Sequence, residues 1–550
     1  MIGALEAVST SPIVLPNFYI TILLGVTLVV ASLYLWSQSL RQAKLTSNVP
    51  ELPGRTLLST ALNPSDFLKK MLEAIHDLKC DVGKFGMGPY FFMGLKDPVD
   101  VELILGSQEH LEKSREYGLF EPWLGDGLLI SKGEKWRTHR KMIAPTFHSS
   151  ILKSFFPVFN KNANRLLEKL EKEKNKIFDV HDYMSGATVD TLLETAMGVE
   201  KTNKDNTGFE YAKAVMDMCN ILHQRHYKIW LRPDFLFKWT KMAAEQSKLL
   251  DLIHSLTREV IKRKKVDYFE RESKGEKSLY KEAVRAENKA SKKNAKTENI
   301  SYIHDDLEDI EENDIGEKKR LAFLDFMIEA SKTAGNNLTD EEIKEEVDTI
   351  MFEGHDTTAA ASSFVLCLLG IHKDIQQTCI NELKEIFHDS WERPITFNDT
   401  LQMKYLERVI METLRMYPPV PLISRKVNRD VKLASNNYII PSGTTVVVSQ
   451  FMTHRHPRYW KNPDVFNPDN FLPENCQNRH YYAYFPFSAG PRSCVGRKYA
   501  MLKLKVIIAS VLRKYQITSP KAESEFSLQA DIILKRTDGF NIKIEDRVFA

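Results

Sequence analysis

The sequence predicts a mainly α-helical protein with small β-sheets, carried on an N-terminal transmembrane helix. Three observations support this. An uncharged apolar run stands at the N-terminus. Amphipathic helical periodicity dominates the remainder. Only a few short runs have β-branched or aromatic composition.

The apolar run is "FYITILLGVTLVVASLYLW", residues 18 to 36. A helix of that length spans roughly 28 Å, close to the roughly 30 Å hydrocarbon core of a bilayer. Arg41 and Lys44 follow it, whereas the leader carries Glu6 and no basic residue. This asymmetry places the C-terminal bulk in the cytosol. The absence of a positive leader argues for an uncleaved anchor over a signal peptide. Residues 1–44 therefore read as leader and anchor, 45–65 as a linker containing "VPELPGR", and 66–550 as the main folded domain.

The 550 residues are 43% hydrophobic, enough for a large core, and the net charge of +3 gives no reason to expect nucleic acid as a partner. Six cysteines are scattered without CxxC spacing, which signals neither a zinc site nor a disulfide framework. A reducing compartment fits such usage.

"YFFMGL" (90–95) and "GTTVVVSQF" (443–451) are the strand candidates. Residues 262–320 stand apart. They open on "KRKK" and contain "DDLEDIEEND", with seven acids in ten residues. Too little apolar surface is available there to offset ordering entropy, so a disordered charged insertion is expected.

A helix of thirty or so residues is expected from about Thr339, which caps it with Glu342 three positions on. Gly354 weakens its middle by about 1 kcal/mol relative to alanine. Glu353, Asp356, Thr357 and Thr358 make that turn polar, which suggests a ligand lying across the helix. Downstream, Glu412 and Arg415 share one helical turn, and Pro418, Pro419 and Pro421 stop that helix.

The last landmark is "FPFSAGPRSCVGRK", residues 485–498. A lone cysteine here lies between glycines and basic residues, presented rather than packed. A helix is expected after it, with Val495, Tyr499, Leu502 and Val506 on one face, and its N-terminus would aim partial positive charge at the sulfur.

Together these residues resemble the cytochrome P-450 superfamily over nearly the whole chain. Phe487, Gly490, Arg492, Cys494 and Gly496 match its F-x-x-G-x-R-x-C-x-G haem-binding loop. The resemblance implies the cytochrome P-450 fold, a haem b cofactor and Cys494 as the axial thiolate that binds its iron. Such a ligand pushes electron density onto iron and favours O–O cleavage. Trp136 and Arg140 match the family's W-x-x-x-R element. With Arg425 and Arg492 they are expected at the haem propionates, since the planar guanidinium fork binds carboxylates. Asp356 and Thr357 match the acid–alcohol pair that delivers protons during oxygen activation. Glu412 and Arg415 match a structural ion pair. Asn470 departs from an arginine that many relatives use to complete that network.

"IMFEGHDTT" (350–358) is similar to family 4, in which many members join a glutamate at the position of Glu353 to a haem methyl through an ester. The segments 127–155 and 178–201 and the end of the insertion, 305–325, resemble the insect 4G subfamily. That resemblance implies oxidative decarbonylation of long-chain fatty aldehydes to cuticular hydrocarbons. The alternatives are ω-hydroxylation of fatty acids, a haem protein without oxygen chemistry, and a lipid-binding membrane protein without haem. The implied setting is the endoplasmic reticulum membrane, with O2 as co-substrate and electrons from NADPH through cytochrome P-450 reductase. Arg497, Lys498, Lys503 and Lys505 form the expected basic docking patch for that acidic flavoprotein.

Overall fold

The computed structural model describes residues 14–51, 62–63, 70, 80–87, 90–200, 207–274, 322–332 and 338–548. The acidic block 305–314 and most of the expected linker lie outside them.

The N-terminal helix runs from Val14 to Leu45. Its Ile22–Leu45 portion is long and apolar enough to cross a membrane, and none of that window is buried. Its end is fastened to the rest of the molecule. Arg41 pairs with Asp430 at 2.6 Å, and Lys84 donates to the Thr46 carbonyl at 2.9 Å. Thr46 and Val49 are buried, so the first residues of the expected linker belong to the packed body.

Both expected strands form, at Tyr90–Leu95 and Thr445–Ser449. They pair in parallel inside a four-stranded sheet. Val82–Met87 forms one edge, antiparallel to Tyr90–Leu95, and Leu422–Lys426 the other, antiparallel to Thr445–Ser449. The parallel register allows the sequence-distant strand 445–449 to sit between two hairpin-like partners. It also brings Leu422, Ile423 and Ser424 to the wall of a cavity.

Helices make the bulk of the protein. The central one, Asp340–Ile371, has the anticipated capping box: the Thr339 hydroxyl accepts from the Glu342 N–H, and the Glu342 carboxylate accepts from the Thr339 N–H. Such a cap contributes about 1 kcal/mol. From Val347 onward this helix is buried almost all round, as a domain-crossing helix must be. Gly354 has a packing reason. A Cβ there would meet both Leu192 methyls at 3.0 Å, so the glycine lets helix His181–Thr195 approach closely.

The charged insertion begins later than residue 262. Helix Lys241–Ser273 continues straight through "KRKK". Ile253, Thr257, Val260, Ile261 and Lys264 are its buried face, at helical spacing. Lys264 lays its stem on that face and pairs with Asp325 at 2.9 Å, and Arg271 reaches the same carboxylate at 2.9 Å. Long basic side chains are able to cover apolar surface in this way, so charge density alone misplaced the boundary.

Glu412 and Arg415 lie on helix Lys404–Met416 and are fully buried. Arg415 Nε donates to Glu412 Oε2 at 2.7 Å and Nη2 to Oε1 at 2.8 Å. Three carbonyls, of His454, Pro463 and Val465, take further guanidinium protons. Asn470 fills the place of the expected third charge with a neutral amide. Its Nδ2 and the Asn467 N–H both donate to Glu412 Oε1, at 2.9 and 2.8 Å.

Candidate functional site

The cysteine loop is built by backbone geometry. Gly490 has φ +69°, and a Cβ there would lie 2.0 Å from the Leu105 carbonyl oxygen. Only glycine fits such an approach in that conformation. The Cys494 N–H donates to the Phe487 carbonyl at 2.8 Å, closing the loop. Helix Arg497–Lys514 starts three residues beyond the cysteine, as expected. The Gly496 N–H hydrogen-bonds the sulfur and favours its thiolate. Burial is the larger influence, and with Glu353 it pushes the thiol up to about 11. Cys494 is nonetheless exposed on the wall of an internal cavity, so its sulfur is reachable from within.

That cavity has a volume of about 360 Å³. Phe487, Arg492, Trp136, Arg140, Glu353 and Thr357 line it with Cys494. Helix Gly133–Ile143 presents Trp136 and Arg140 one turn apart. It is held to the central helix by His139 Nδ1, 2.7 Å from Glu346 Oε1, while the Leu128 N–H donates to Glu346 Oε2 at 3.1 Å.

Arg492 donates to the carbonyls of Ser131 and Leu129, both at 2.9 Å, and its guanidinium lies 4.6 Å from the Trp136 ring centre. A guanidinium has five N–H groups, so donors remain for a ligand. Burial and then Arg425 bring Arg492 down to about 9. Arg425 is buried on strand Leu422–Lys426, and desolvation lowers it too. It does not itself line the cavity, so its action there is through charge.

Sequence reasoning missed Lys113. It is buried on the cavity wall, 4.6 Å from the Tyr117 ring centre. Burial, then Arg425 and Arg492, hold its ammonium well below the usual lysine range. Nothing local marks this lysine in "HLEKSREYG"; only the tertiary fold brings it to the site. Glu353 faces this group. Burial raises its carboxyl, while Lys113, Arg140 and Arg492 pull it down. Two guanidinium groups and an ammonium thus surround one carboxylate in a low-dielectric space. Uncompensated buried charge is costly, and a dianionic ligand would balance it. A flat haem with two propionates, approached by a thiol, fits that donor set.

The acid–alcohol pair is split. Thr357 lines the cavity, with its hydroxyl donating to the Glu353 carbonyl at 2.8 Å. Asp356 is buried off the cavity wall, and the Cys219 thiol approaches its Oδ2 at 4.0 Å. Burial raises this carboxyl to about 6.

The basic docking patch needs correction. Lys503 and Lys505 are 1% and 0% exposed. Lys503 donates to the carbonyls of Thr188 and Gly354, and burial lowers it to about 7. Lys505 donates to the Thr400 carbonyl and pairs with Glu407 at 2.8 Å. The helix carrying them is enclosed on most sides, so these lysines satisfy interior carbonyls. Arg497 and Lys498, at its first turn, are only half-buried.

The family model for cytochrome P450 matches residues 56–544. The chain belongs to the cytochrome P450 family. As a P450 it is a haem-dependent monooxygenase, with a cysteine thiolate on the iron, O2 as oxidant and electrons supplied by a reductase. Within the family it is a family-4 enzyme resembling the 4G members. It is 54% identical to cytochrome P450 4g15 of Drosophila melanogaster over 85% of this chain and 86% of that one. It is 48% identical to cytochrome P450 4g1 of the same organism over 99% of this chain and 98% of that one. Human cytochrome P450 4V2 is 36% identical over 93% and 91%. Among solved structures, the P450DA heme domain superposes with TM-score 0.71 at 20% identity, covering 91% of this chain and 98% of that one. That likeness speaks for the P450 fold alone.

Proposed function

We propose that this P450 converts long-chain aldehydes to hydrocarbons by oxidative loss of the carbonyl carbon. In balance, an aldehyde, O2, two electrons and two protons give a hydrocarbon one carbon shorter, carbon dioxide and water. The observation that carries the reading is the 4G resemblance, which persists over almost the full chain. An apolar cavity that opens onto Cys494 and Thr357 supports it.

In this reading Cys494 would supply the thiolate that holds the haem iron, and haem would supply the oxygen-activating chemistry. Trp136, Arg140, Arg425, Arg492 and Lys113 hold the propionates, directly or through their charge. Phe487 and Gly490 shape the loop that brings the thiolate up to the cofactor. Thr357 orients a proton donor from the cavity wall. Asp356, raised to about 6, exchanges protons near neutral pH from behind the same helix turn. Thr357→Ala is expected to release more peroxide per electron pair consumed, with less product; unchanged coupling would place the relay elsewhere.

Glu353 lies on the cavity wall and is the group we assign to an ester with a haem methyl. Extraction with acidified organic solvent is expected to leave haem on the wild type and free it from Glu353→Ala. Complete release from wild type would remove the ester.

Electrons come from NADPH through cytochrome P-450 reductase, docking at Arg497 and Lys498. Lys498→Glu should slow haem reduction more at low salt than at high salt, because screening weakens exposed pairs. A salt-independent loss would point instead to misfolding. The helix Val14–Leu45 anchors the enzyme in the endoplasmic reticulum membrane with the catalytic body cytosolic. Protease treatment of intact microsomes, which should digest that body, tests the orientation. Supplied with an aldehyde and the matching fatty acid together, the enzyme should consume the aldehyde; selective ω-hydroxylation of the acid would contradict the proposal.

A further inference from the structure

The cations of the cavity wall are concentrated at one end. Lys113, Arg140 and Arg492 all interact electrostatically with Glu353, beside Cys494. Glu116, from the short helix Arg115–Phe120, is another acid on the wall, outside that group. It is buried, and its Oε2 has no hydrogen-bond partner among the described residues. Its ion partners are Arg115 at 3.4 Å and Arg232 at 4.0 Å, and neither of these lines the cavity. Arg232 is further committed to the His226 carbonyl through Nε and Nη2. The positive charges therefore stand behind the carboxylate.

The neighbouring wall is contributed by His223, His226 and Tyr227. Burial, then Arg232 and His223, bring His226 down to about 3, so it is neutral at physiological pH. His223 Nε2 lies 3.5 Å from Asp531, whose carboxylate also pairs with Lys535 at 2.6 Å. Beside the Glu116 carboxylate this part of the wall presents the neutral rings of His226 and Tyr227. A fatty acid seated with its methyl end at Cys494 could reach Glu116 only with its own carboxylate. Two like charges there would meet in a desolvated space. An aldehyde placed with its carbonyl at Cys494 presents only a methyl group to the same wall.

We propose that Glu116 is a specificity-determining residue that bars long-chain carboxylates from the far end of the cavity and leaves it to uncharged chains. The proposal rests on the assignment of Cys494 as the reacting end. The test is titration of the holoenzyme, read by the ligand-induced shift of the Soret band, with stearate and with stearyl alcohol as its uncharged match. Wild type should bind the alcohol more tightly. Glu116→Gln keeps the side-chain shape and should tighten stearate on the order of tenfold, the scale of one like-charge contact removed. Its affinity for the alcohol should stay within about twofold. Arg232→Gln takes away a cation behind the carboxylate and should weaken stearate binding, the opposite direction. Unchanged stearate affinity in Glu116→Gln, or parallel changes for both ligands, would overturn the assignment of Glu116. A wild-type holoenzyme without the carbon monoxide difference band of a haem–thiolate centre would instead overturn the Cys494 reading on which it rests.

Discussion

Cys494→Ala should lose the carbon monoxide difference band of a haem–thiolate centre and all turnover. Gly490 allows the backbone to pass the Leu105 carbonyl, and the Phe487 carbonyl closes the turn on the Cys494 N–H. These contacts use backbone groups, so the substitution leaves them intact. Only the sulfur is removed from the cavity wall, and with it the thiolate we propose as the donor to the iron. The Gly496 N–H loses its partner as well, a small stability cost beside the chemical one. The expected protein is therefore folded, and circular dichroism should stay near wild type. A normal difference band in this variant would sink the ligand assignment.

Glu412→Leu should destabilise the fold by about 3–5 kcal/mol, the range for removing one partner of a buried ion pair. Glu412 accepts two guanidinium bonds from Arg415, the Asn467 N–H and the Asn470 amide. All four donors would lose their acceptor in a region where Glu412 and Arg415 are both 0% exposed. Asn470 brings no charge to the network, but Arg455 lies within electrostatic reach of Arg415 and would repel it once Glu412 is gone. The backbone carbonyls of His454, Pro463 and Val465 would still hold the guanidinium partly satisfied, which places the loss within that range rather than above it. Denaturant unfolding of the holoenzyme and the variant measures it; a change below about 1 kcal/mol, the size of a surface pair, would contradict the buried network.

What was legible in the sequence is what local chemistry specifies. The capping box at Thr339 and Glu342 and the strands around Phe92 and Val447 were readable because each depends on neighbours within a few residues. The backbone of the cysteine loop was readable because Gly490 answers to a close approach that sequence spacing preserves. The central turn at Gly354 was half-read. A ligand wall was expected there and a cavity is present, but the glycine also accommodates Leu192 from another helix.

The remainder depended on which face a residue takes in three dimensions. Lys503 and Lys505 look like a basic surface in one dimension, yet interior carbonyls capture them. Lys264 sits in a charged run and still belongs to a buried helical face, because Asp325 meets it from a distant segment. Lys113 and Glu116 stand three residues apart in an ordinary polar stretch. Only the packing of that stretch against strand Leu422–Lys426 and the end of helix Thr207–Tyr227 turns them into walls of the cavity. Asp356 was paired with Thr357 by the resemblance to the family's acid–alcohol pair, and the helix turns the two to different surroundings.

The most direct test of the central claim follows the carbonyl carbon. Membranes containing the enzyme, NADPH and reductase would receive a long-chain aldehyde labelled at that carbon. The account predicts labelled carbon dioxide and an unlabelled hydrocarbon one carbon shorter, with neither formed when reductase is omitted. Label retained in a hydroxylated chain of full length would contradict it.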